Sequence, residues 1–483
     1  MKYVLAIVLN LGVFFSLYAQ NDSPFYATLN KEDASTLKLQ FPDAVQILGS
    51  TEYESAVMLT ETAAHELHNA ILVHGPGYIR KPSAEKALND IAATPLIPNA
   101  QSFTSTNYTI THDAIVTQAL NEVSTSNLED HIIELQNYGT RYHNRPEGTQ
   151  AAMDLKAKWE ALAASYNRTD VSVRLFNHTG TTMPSVIMTI TGAVSPNEYV
   201  ITGGHLDTTA SVNALAPGAD DDASGIATIT EAARVLFEID FVPNRTIEIM
   251  AYAAEEIGLV GSAEIAQSYS NDNKNVIGVT QFDMTNFNGS DNDVYFITDN
   301  TDTSLNSFLM QLLDYYNADG VHQVTYGTSL CNYGCSDHAS WFAQGYPASF
   351  PFEAAFGEHN QAIHTLGDTF TVSGTADHAT KFTKLCTEFL IETAKTSVLG
   401  VTEFNQPNVI TTVNDNILSY RFESSDYTVE SLSIYDISGK KLTFENLDGN
   451  TGNYDLNSLS TGLYIASFKI KNQGVFSQKI SVE

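Results

Sequence analysis

Residues 199–207 read Tyr-Val-Ile-Thr-Gly-Gly-His-Leu-Asp, a strand-like apolar run that leads into a histidine and an aspartate. A helical pattern follows at Ala223–Phe237, and a second strand-like run follows at Thr246–Ala251. Strands that alternate with helices in this way are typical of an α/β layered fold whose sheet is largely buried. We therefore predict the α/β fold class for this part of the chain.

The alternating pattern extends outward to about residues 113 and 400. Residues 20–112 are more weakly patterned, with one predicted helix at Thr51–Ile71. After residues 401–408, which resemble a linker, short alternating strands predict a small C-terminal all-β sandwich over residues 409–483. Between residues 113 and 400 we predict further helices and strands at Glu147–Ala164, Ser185–Thr191, Val276–Asp283, Val294–Thr298, Phe308–Tyr316 and Phe382–Val398.

The net charge and the first residues of the chain indicate which classes of partner are excluded and where the protein is located. Lys and Arg total 24 against 56 Asp and Glu, a formal charge of -32, which argues against nucleic acid and membrane surfaces as partners. Lys2 is followed by a nearly uncharged apolar run, Tyr3–Tyr18, that is too short for a comfortable membrane span. We predict a signal peptide at residues 1–19 and a secreted mature protein without a membrane span.

Polar residues follow three of the predicted strands where each one ends. His205 and Asp207 follow the run quoted above, Glu255–Glu256 follow the second run, and Asp283 ends a third. A further acidic run, residues 220–222, precedes the helix. In open α/β sheets the carboxyl ends of the strands form the crevice where ligands bind. We therefore expect these side chains to converge on one place.

A group of histidine and carboxylate side chains that converges in this way predicts a metal site. Crowded carboxylates repel one another unless a cation neutralises them, and the sequence shows no Lys or Arg beside these motifs. Imidazole nitrogen and carboxylate oxygen are suitable zinc ligands, and one histidine and one carboxylate per metal, with a bridging aspartate, would build a two-metal site for hydrolysis. The scheme needs a second histidine, for which the candidates are His322, His338, His359, His364 and His378.

The spacing within the motifs suggests roles beyond metal binding. Glu255 and Glu256 are neighbours, and neighbouring side chains in an extended backbone point to opposite sides, so one can bind metal while the other acts as general base. Asp207 lies two residues after His205, on the same side, where it could accept the second ring N–H and fix the tautomer.

Other interpretations compete with this one. Each cluster alone could be a solvated loop or a helix cap. The run His65–His68 places its histidines three apart, whereas the zinc-helix motif places them four apart. Ser336, Asp337 and His338 are consecutive and cannot form a nucleophile–base chain. A surface protein that binds calcium through acidic loops is another alternative, although calcium prefers sites made only of oxygen.

The six strings of sequence around these residues closely resemble the secreted bacterial leucyl aminopeptidases. These enzymes are zinc exopeptidases with a co-catalytic metal pair, and the resemblance covers about residues 113–400. It implies an αβα-layered zinc exopeptidase fold with a mostly parallel central sheet, and hydrolysis of the N-terminal bond of peptides with apolar, leucine-like residues. The strings are Gly203–Asp207, Pro217–Gly225, Ala251–Leu259, Gln281–Asn286, Cys331–Trp341 and Ile363–Thr365.

The resemblance also assigns roles to individual residues. It implies two Zn²⁺ ions per chain, with Asp221 as the bridge, Asp283 joining His205 at one ion, and Glu256 joining His364 at the other. Glu255 becomes the general base, Asp207 the partner of His205, and Tyr333 the residue that stabilises the oxyanion. Cys331 and Cys335 would form a disulfide, whereas the surroundings of Cys386 suggest a buried thiol. An apolar substrate pocket would be lined by Met284, Ile297, Phe350, Phe352 and Ile363, for each of which core packing is the alternative.

The resemblance extends beyond the catalytic section. Residues 20–112 occupy the place of a propeptide that such enzymes shed. The C-terminal module, with Leu459, Gly462, Tyr464 and the ending Lys479–Val482, resembles sorting domains of the type IX secretion route. We therefore expect peptides with a free N-terminus and the type IX secretion machinery as partners, and a monomer. Relatives with the same fold that act as carboxypeptidases or single-zinc glutaminyl cyclases are the alternative enzymes.

Overall fold

The computed structural model describes residues 23–70, 74–92, 108–210, 215–395, 409–422, 429–436, 440–447, 449–470 and 474–482. The chain divides into two compact units, Met1–Thr396 and Ser397–Glu483. The predicted signal peptide and the predicted linker lie outside the described residues. Within the described ranges, no helix is both long enough and apolar enough to cross a membrane.

The first unit begins with a small α/β layer built on an antiparallel sheet, whose strands lie in the order β2 (Val45–Ser50), β3 (Glu54–Leu59), β1 (Phe25–Asn30) and β4 (Tyr78–Lys81). The predicted helix Thr51–Ile71 is wrong in its first half, because residues 54–59 form a strand. That strand pairs on both sides and buries Ala56, Val57 and Leu59, so tertiary pairing decides its conformation. The elements are β1 (Phe25–Asn30), α1 (Lys31–Gln40), β2 (Val45–Ser50), β3 (Glu54–Leu59), α2 (Glu61–Ala70), β4 (Tyr78–Lys81) and α3 (Ala84–Ala92).

The rest of the first unit alternates helices and strands, as predicted. Its elements are α4 (Asp113–Asn121), α5 (Thr125–Gln136), α6 (Pro146–Ser165), β5 (Val171–Phe176), β6 (Ser185–Ile190), β7 (Ser195–His205), α7 (Ala223–Glu238), β8 (Arg245–Tyr252), α8 (Val260–Asn271), β9 (Asn275–Gln281), β10 (Val294–Ile297), α9 (Thr303–Tyr316), β11 (Tyr326–Ser329), α10 (His338–Ala343), β12 (Ala348–Ser349), β13 (Pro351–Phe352) and α11 (Asp377–Ala394).

A six-stranded central sheet, in the order β12-β9-β7-β8-β6-β5, runs through this region. The first four strands of that order pair in parallel, and the last two add on in antiparallel fashion. A second, three-stranded sheet has the order β11-β10-β13. The predicted mostly parallel central sheet is therefore confirmed.

Helices cover both faces of the central sheet. In β8, Ile247 and Ile249 pack into the main hydrophobic core, to which α7 and α11 contribute. The alternate residues of the same strand, Met250 and Tyr252, pack into a second core, to which α8 contributes. Because successive side chains of a strand point to opposite faces, this division confirms the αβα layering.

The second unit consists of two antiparallel sheets, one of three strands and one of four. Leu418 and Tyr420 of the first sheet share one hydrophobic core with Leu432 and Phe468 of the second, so the predicted C-terminal sandwich is confirmed. The strands are β14 (Val409–Asn414), β15 (Ile417–Phe422), β16 (Val429–Asp436), β17 (Lys441–Asn446), β18 (Thr451–Asp455), β19 (Gly462–Ile470) and β20 (Gly474–Val482). Their order is β14-β15-β18 in the first sheet and β17-β16-β19-β20 in the second.

Candidate metal centre

The predicted ligands meet at one edge of the central sheet. His205 is the last residue of β7, Glu255 and Glu256 stand in the turn after β8, and Asp283 lies two residues after β9. These strands are parallel neighbours with β7 in the middle, so their carboxyl ends share an edge. The strand-end pattern in the sequence therefore corresponds to proximity in space.

Asp221 reaches the same place from the loop before α7. Its Oδ1 lies 2.9 Å from His205 Nε2, and its Oδ2 lies 3.0 Å from His364 Nε2. His205 Nε2 is also 3.4 Å from Asp283 Oδ1, and His364 Nε2 is 3.2 Å from Glu256 Oε2. Asp221 thus stands between two pairs, each of which contains one histidine and one carboxylate.

The chemistry of this set fits zinc. The five predicted ligands are at most 8% exposed, so their charges are removed from water. His205, Asp221 and Glu256 offer donor atoms within 4.8 Å of one another, and so do His205, Asp222 and Asp283. Imidazole nitrogen and carboxylate oxygen are zinc ligands, and buried carboxylates this close to one another require a compensating cation. The residues could therefore hold one or more zinc ions.

Glu255 lies beside the predicted ligands. Both of its carboxylate oxygens are buried, and neither accepts a hydrogen bond within the described part of the chain. Burial raises the pKa of Glu255 well above its usual value, His205 opposes that shift, and Asp337, Glu256 and Asp283 add to it. A buried carboxylate whose oxygens are both free can accept a proton, as a general base must.

Asp207 positions the turn that carries both glutamates. Its carboxylate accepts the main-chain N–H groups of Glu255 and Glu256 at 3.0 and 3.2 Å. His205 Nδ1 lies 3.1 Å from the main-chain oxygen of Asp207 and 3.7 Å from its carboxylate. The hydrogen bond that we expected from His205 to this carboxylate is made instead to the main-chain oxygen, which can fix the same tautomer.

Asp222 was not among the predicted site residues, yet it organises three segments. It is the N-cap of α7, where its side chain accepts the N–H of Gly225 at 2.8 Å. The same carboxylate accepts the N–H groups of His205 at 3.0 Å and Met284 at 3.1 Å. The sequence signal for it was the position of the acidic run just before a helix, which predicts a cap but not the other two contacts.

Asp368 supports the acidic loop from a distant part of the chain. It accepts the main-chain N–H groups of Asp220 and Asp221 at 3.0 and 3.1 Å. Burial, followed by repulsion from Asp220 and Asp221, raises the pKa of Asp368 to about 8. It follows no predicted strand, so the sequence carries no signal that could have identified it.

A buried cation near the site, Arg141, was also missed. Its guanidinium donates to the main-chain oxygens of Leu135, Leu206, Pro217 and Gly218 at 2.7–3.1 Å, and so ties the loops beside the site together. It makes no salt bridge with a carboxylate among the described residues, so it does not replace a metal. Burial lowers its pKa to about 10 against the opposing effect of nearby aspartates.

The predicted pocket residues lie together beside the ligands. Met284, Ile297, Phe350, Phe352 and Ile363 form one buried apolar cluster that includes Cys331 and Cys335. The two cysteines form a disulfide, whereas Cys386 is a buried free thiol. Tyr333, between the paired cysteines, packs against the cluster, and its hydroxyl donates to the main-chain oxygen of His74.

Among the candidate second histidines, His364 is the one that reaches Asp221. His338 stacks on Phe350, and His378 Nε2 contacts the main-chain oxygen of Glu353 at 3.2 Å. His322 Nε2 lies 3.3 Å from the side-chain oxygen of Asn121, and the ring of His359 packs against that of Phe352. The first histidine of the run at residues 65–68 contacts Tyr142 at 3.0 Å.

His74 enters the centre from the N-terminal layer, which the sequence did not suggest. Its Nε2 lies 3.2 Å from Asp283 Oδ1, and its side chain is fully buried. No strand-end pattern or metal-ligand spacing marks His74, because it precedes β4 in a short connection. The contact depends on the docking of the N-terminal layer.

Known proteins resemble the chain over the region that carries this geometry. The sequence profile of peptidase family M28 matches residues 185–389, a range that contains all five predicted ligands. Leucine aminopeptidase 1 of Paracoccidioides brasiliensis (strain Pb03) is 35% identical over 276 residues, which cover 53% of this chain and 68% of that protein. The chain belongs to peptidase family M28.

This M28 aminopeptidase has similar relatives in other organisms. A probable aminopeptidase of Saccharomyces cerevisiae is 30% identical over 295 residues, which cover 59% of this chain and 76% of the relative. The crystal structure of the LapA aminopeptidase of Legionella pneumophila matches with a TM-score of 0.69 and 29% identity, over 78% of this chain and 99% of that one. The predicted class, a zinc metallo-aminopeptidase that hydrolyses peptide bonds, is confirmed.

The C-terminal module of the M28 aminopeptidase matches a second profile. Residues 414–483 match the secretion system C-terminal sorting domain. The predicted resemblance to a type IX sorting domain is therefore confirmed, and it indicates export of the enzyme.

Proposed function

We propose that this enzyme holds two zinc ions between His205, Asp221, Glu256, Asp283 and His364 and removes apolar residues from the N-terminus of peptides. The proposal depends above all on Asp221, whose two carboxylate oxygens each lie within 3.0 Å of a different histidine. An aspartate in that position can bridge two metals, each with one further carboxylate. When bound, the zinc pair supplies Lewis-acid activation of the scissile carbonyl and of the attacking water.

Glu255 is the general base in this proposal. It takes a proton from the attacking water and passes it to the leaving amine. Its two buried oxygens, which lack hydrogen-bond partners in the described chain, leave it free for that exchange. Asp207 holds the main chain of Glu255 and Glu256, so that the base and a ligand keep a fixed separation.

Tyr333 stabilises the oxyanion. In the structure its hydroxyl donates to a main-chain carbonyl oxygen, that of His74, which is the kind of group a peptide substrate would present. A preorganised donor of this kind acts most strongly when charge develops on the oxygen in the transition state.

The apolar cluster beside the ligands receives the first side chain of the substrate. Met284 and Ile363 each adjoin a ligand in sequence, and Phe350 and Phe352 complete the apolar wall. A free α-amine is required in this proposal, because an unmodified amine nitrogen could bind at the zinc pair and its carboxylates, whereas an acetylated nitrogen could not. These features support a leucine-like preference over a charged or acetylated first residue.

The flanking regions take part in export and maturation. We propose that residues 20–112 act as a propeptide and that the sorting domain directs a monomeric enzyme through the type IX route to the exterior or the cell surface. Fractionation of cells that express the full chain, beside a variant that ends at residue 396, tests the route. Export of the truncated variant at the normal level would contradict it.

Hydrolysis of a panel of aminoacyl amides, with and without a chelator, tests the proposed reaction. We expect the leucyl amide to be cleaved fastest among apolar, charged and glycyl substrates, no cleavage of the acetylated leucyl amide, and loss of activity with the chelator. Activity that survives the chelator, or cleavage of the acetylated form, would contradict the proposal. A cyclised product from a glutaminyl substrate would favour the cyclase alternative.

A further inference from the structure

A short segment of the N-terminal layer, residues 74–77, lies inside the metal centre. We call it the inserted segment; it leads directly into β4. β4 docks on the turn after β8, where the N–H of Arg80 donates to the main-chain oxygen of Gly258 at 3.2 Å. That turn also carries Glu255 and Glu256, so the docking brings the inserted segment directly against the residues of the proposed reaction.

The side chain of His74 faces the predicted zinc ligands. Its Nε2 lies 3.2 Å from Asp283 Oδ1, and His205 Nε2 lies 3.4 Å from the same oxygen. His74, Asp221 and Asp283 offer donor atoms within 4.8 Å of one another, the same closeness that defines the set His205, Asp221 and Glu256. Two imidazoles converge on Asp283 in the way that ligands of one metal converge.

The packing of His74 holds the ring in that orientation. The ring lies against Phe352, with centroids 5.1 Å apart, and against Phe350 at 6.0 Å. Its Nδ1 is buried and has no hydrogen-bond partner in the described part of the chain. The polar interaction of the ring is therefore made through Nε2, the atom that faces the centre.

The backbone after His74 fits the site closely. Gly75 has a φ of +65°, and a Cβ at this position would lie 2.6 Å from the main-chain oxygen of Cys335 and 3.0 Å from Glu255 Oε1. The left-handed conformation and the lack of space both require glycine here. With Tyr333 bonded to the oxygen of His74, the inserted segment contacts the base, the oxyanion donor and the apolar pocket at once.

We propose that His74 is a displaceable zinc ligand, supplied by the N-terminal layer, which binds the metal next to Asp283 in the uncleaved chain. This inference rests on the proposed function, since it needs the zinc pair to be present. The ligand bond holds the inserted segment in place, and the substrate can enter only after the segment withdraws. Removal of the ligand therefore loosens one zinc ion and opens the pocket.

Two substitutions in the full chain separate ligand binding from packing. H74F keeps a ring between Phe350 and Phe352 but has no donor atom, whereas H74A removes both. H322A, at a histidine outside the centre, is the matched control. The measurements are the rate of zinc release to a chromogenic chelator, the visible absorption spectrum of the cobalt-loaded protein, and the number of imidazoles per zinc from X-ray absorption.

The expected results distinguish this proposal from the proposed function. Both His74 variants should hold two metals per chain but release one about 10-fold faster or more, show an altered cobalt spectrum, and lose one imidazole per metal pair. H322A should match the wild type, and H74A should hydrolyse leucyl amide faster than the wild type. If zinc release rates and cobalt spectra are unchanged in both His74 variants, His74 is not a zinc ligand, and the proposed function is unaffected. If the wild-type chain holds no metal pair, the proposed function itself is overturned.

Discussion

Two sets of buried carboxylates surround the centre, and they differ in what their oxygens contact. In the first set, Asp207, Asp222 and Asp368, both oxygens of every carboxylate accept main-chain N–H groups. We call these the framework carboxylates. They hold the loop and turn segments that carry the other polar residues, and both of their oxygens are already occupied by main-chain donors.

In the second set, each carboxylate has at least one oxygen that accepts no main-chain N–H group within the described part of the chain. Asp221 faces two histidines, and Glu255 has no hydrogen-bond partner in the described chain. Glu256 accepts the N–H of Thr209 with one oxygen at 3.0 Å and faces His364 with the other. We call these three the inner carboxylates.

Burial does not separate the two sets, because all six carboxylates are at most 3% exposed. What separates them is whether the carboxylate is already satisfied by the main chain. A satisfied carboxylate positions other groups, whereas an unsatisfied one can bind a cation or take a proton. The difference therefore predicts that changes in the two sets will have different consequences.

The largest effect is expected at the inner carboxylate between the two histidines. Asp221→Asn removes the charge and one oxygen donor that two metals would share, so we expect zinc content to fall below two per chain and leucyl amide hydrolysis to fall to background. Zinc content by elemental analysis after dialysis measures this. Asp130→Asn, at an exposed position of α5, is the control. A variant of Asp221 that retains two zinc ions would contradict its bridging role.

The next effect is expected at Glu255. Glu255→Gln keeps the shape of the side chain but removes its ability to take a proton, so kcat should fall by about 10²–10⁴-fold. Zinc content should not change, because Glu255 is not a predicted ligand. Glu160→Gln on the exposed side of α6 should retain full activity. Loss of zinc together with activity would place Glu255 among the ligands instead.

A smaller effect is expected for the framework carboxylates. Asp207→Asn leaves one of the N–H groups of Glu255 and Glu256 facing an NH₂ group, which should cost about 1–3 kcal/mol of unfolding free energy. Zinc affinity should fall by about 10–100-fold, because a ligand loses its support. Urea denaturation and competition with a chelator measure the two quantities. If Asp207→Asn lowered kcat as much as Glu255→Gln does, the distinction between framework and inner carboxylates would be wrong.

The smallest effect concerns pH. Burial and repulsion raise the pKa of Asp368 to about 8 in the metal-free protein, far above its value in an unfolded chain. Stability from such a group is lost as the pH rises through the folded pKa, so the melting temperature of metal-free enzyme should rise as the pH falls from about 8.5 to about 7. The zinc-loaded enzyme should show the opposite slope, because zinc needs deprotonated ligands. If the melting temperatures of the metal-free and the zinc-loaded enzyme changed in the same direction with pH, this assignment of charges would be contradicted.

The sequence predicted the inner part of the site better than its framework. His205, Glu255 and Asp283 stand where strands end, and parallel strands bring their carboxyl ends together, so a local pattern was enough to predict convergence. Asp368 and Arg141 could not be found in this way. They reach the site from connections far along the chain, and only the tertiary packing of those connections brings them close.

The N-terminal layer shows the same limit. Residues 54–59 form a strand where we predicted helix, because pairing with two neighbouring strands outweighs local preference. His74 contacts Asp283 through the docking of this layer, which a motif search within the catalytic section cannot reveal. By contrast, the sandwich of the second unit was predicted from alternating runs and turn signals alone, because both are local patterns in the sequence.

Anomalous diffraction at the zinc edge, from crystals of the zinc-loaded enzyme, tests the bridging role of Asp221 most directly. We predict two peaks about 3.5–4 Å apart, both beside Asp221, one next to His205 and Asp283 and the other next to Glu256 and His364. A single peak, or two peaks that do not share Asp221, would contradict the proposed zinc pair.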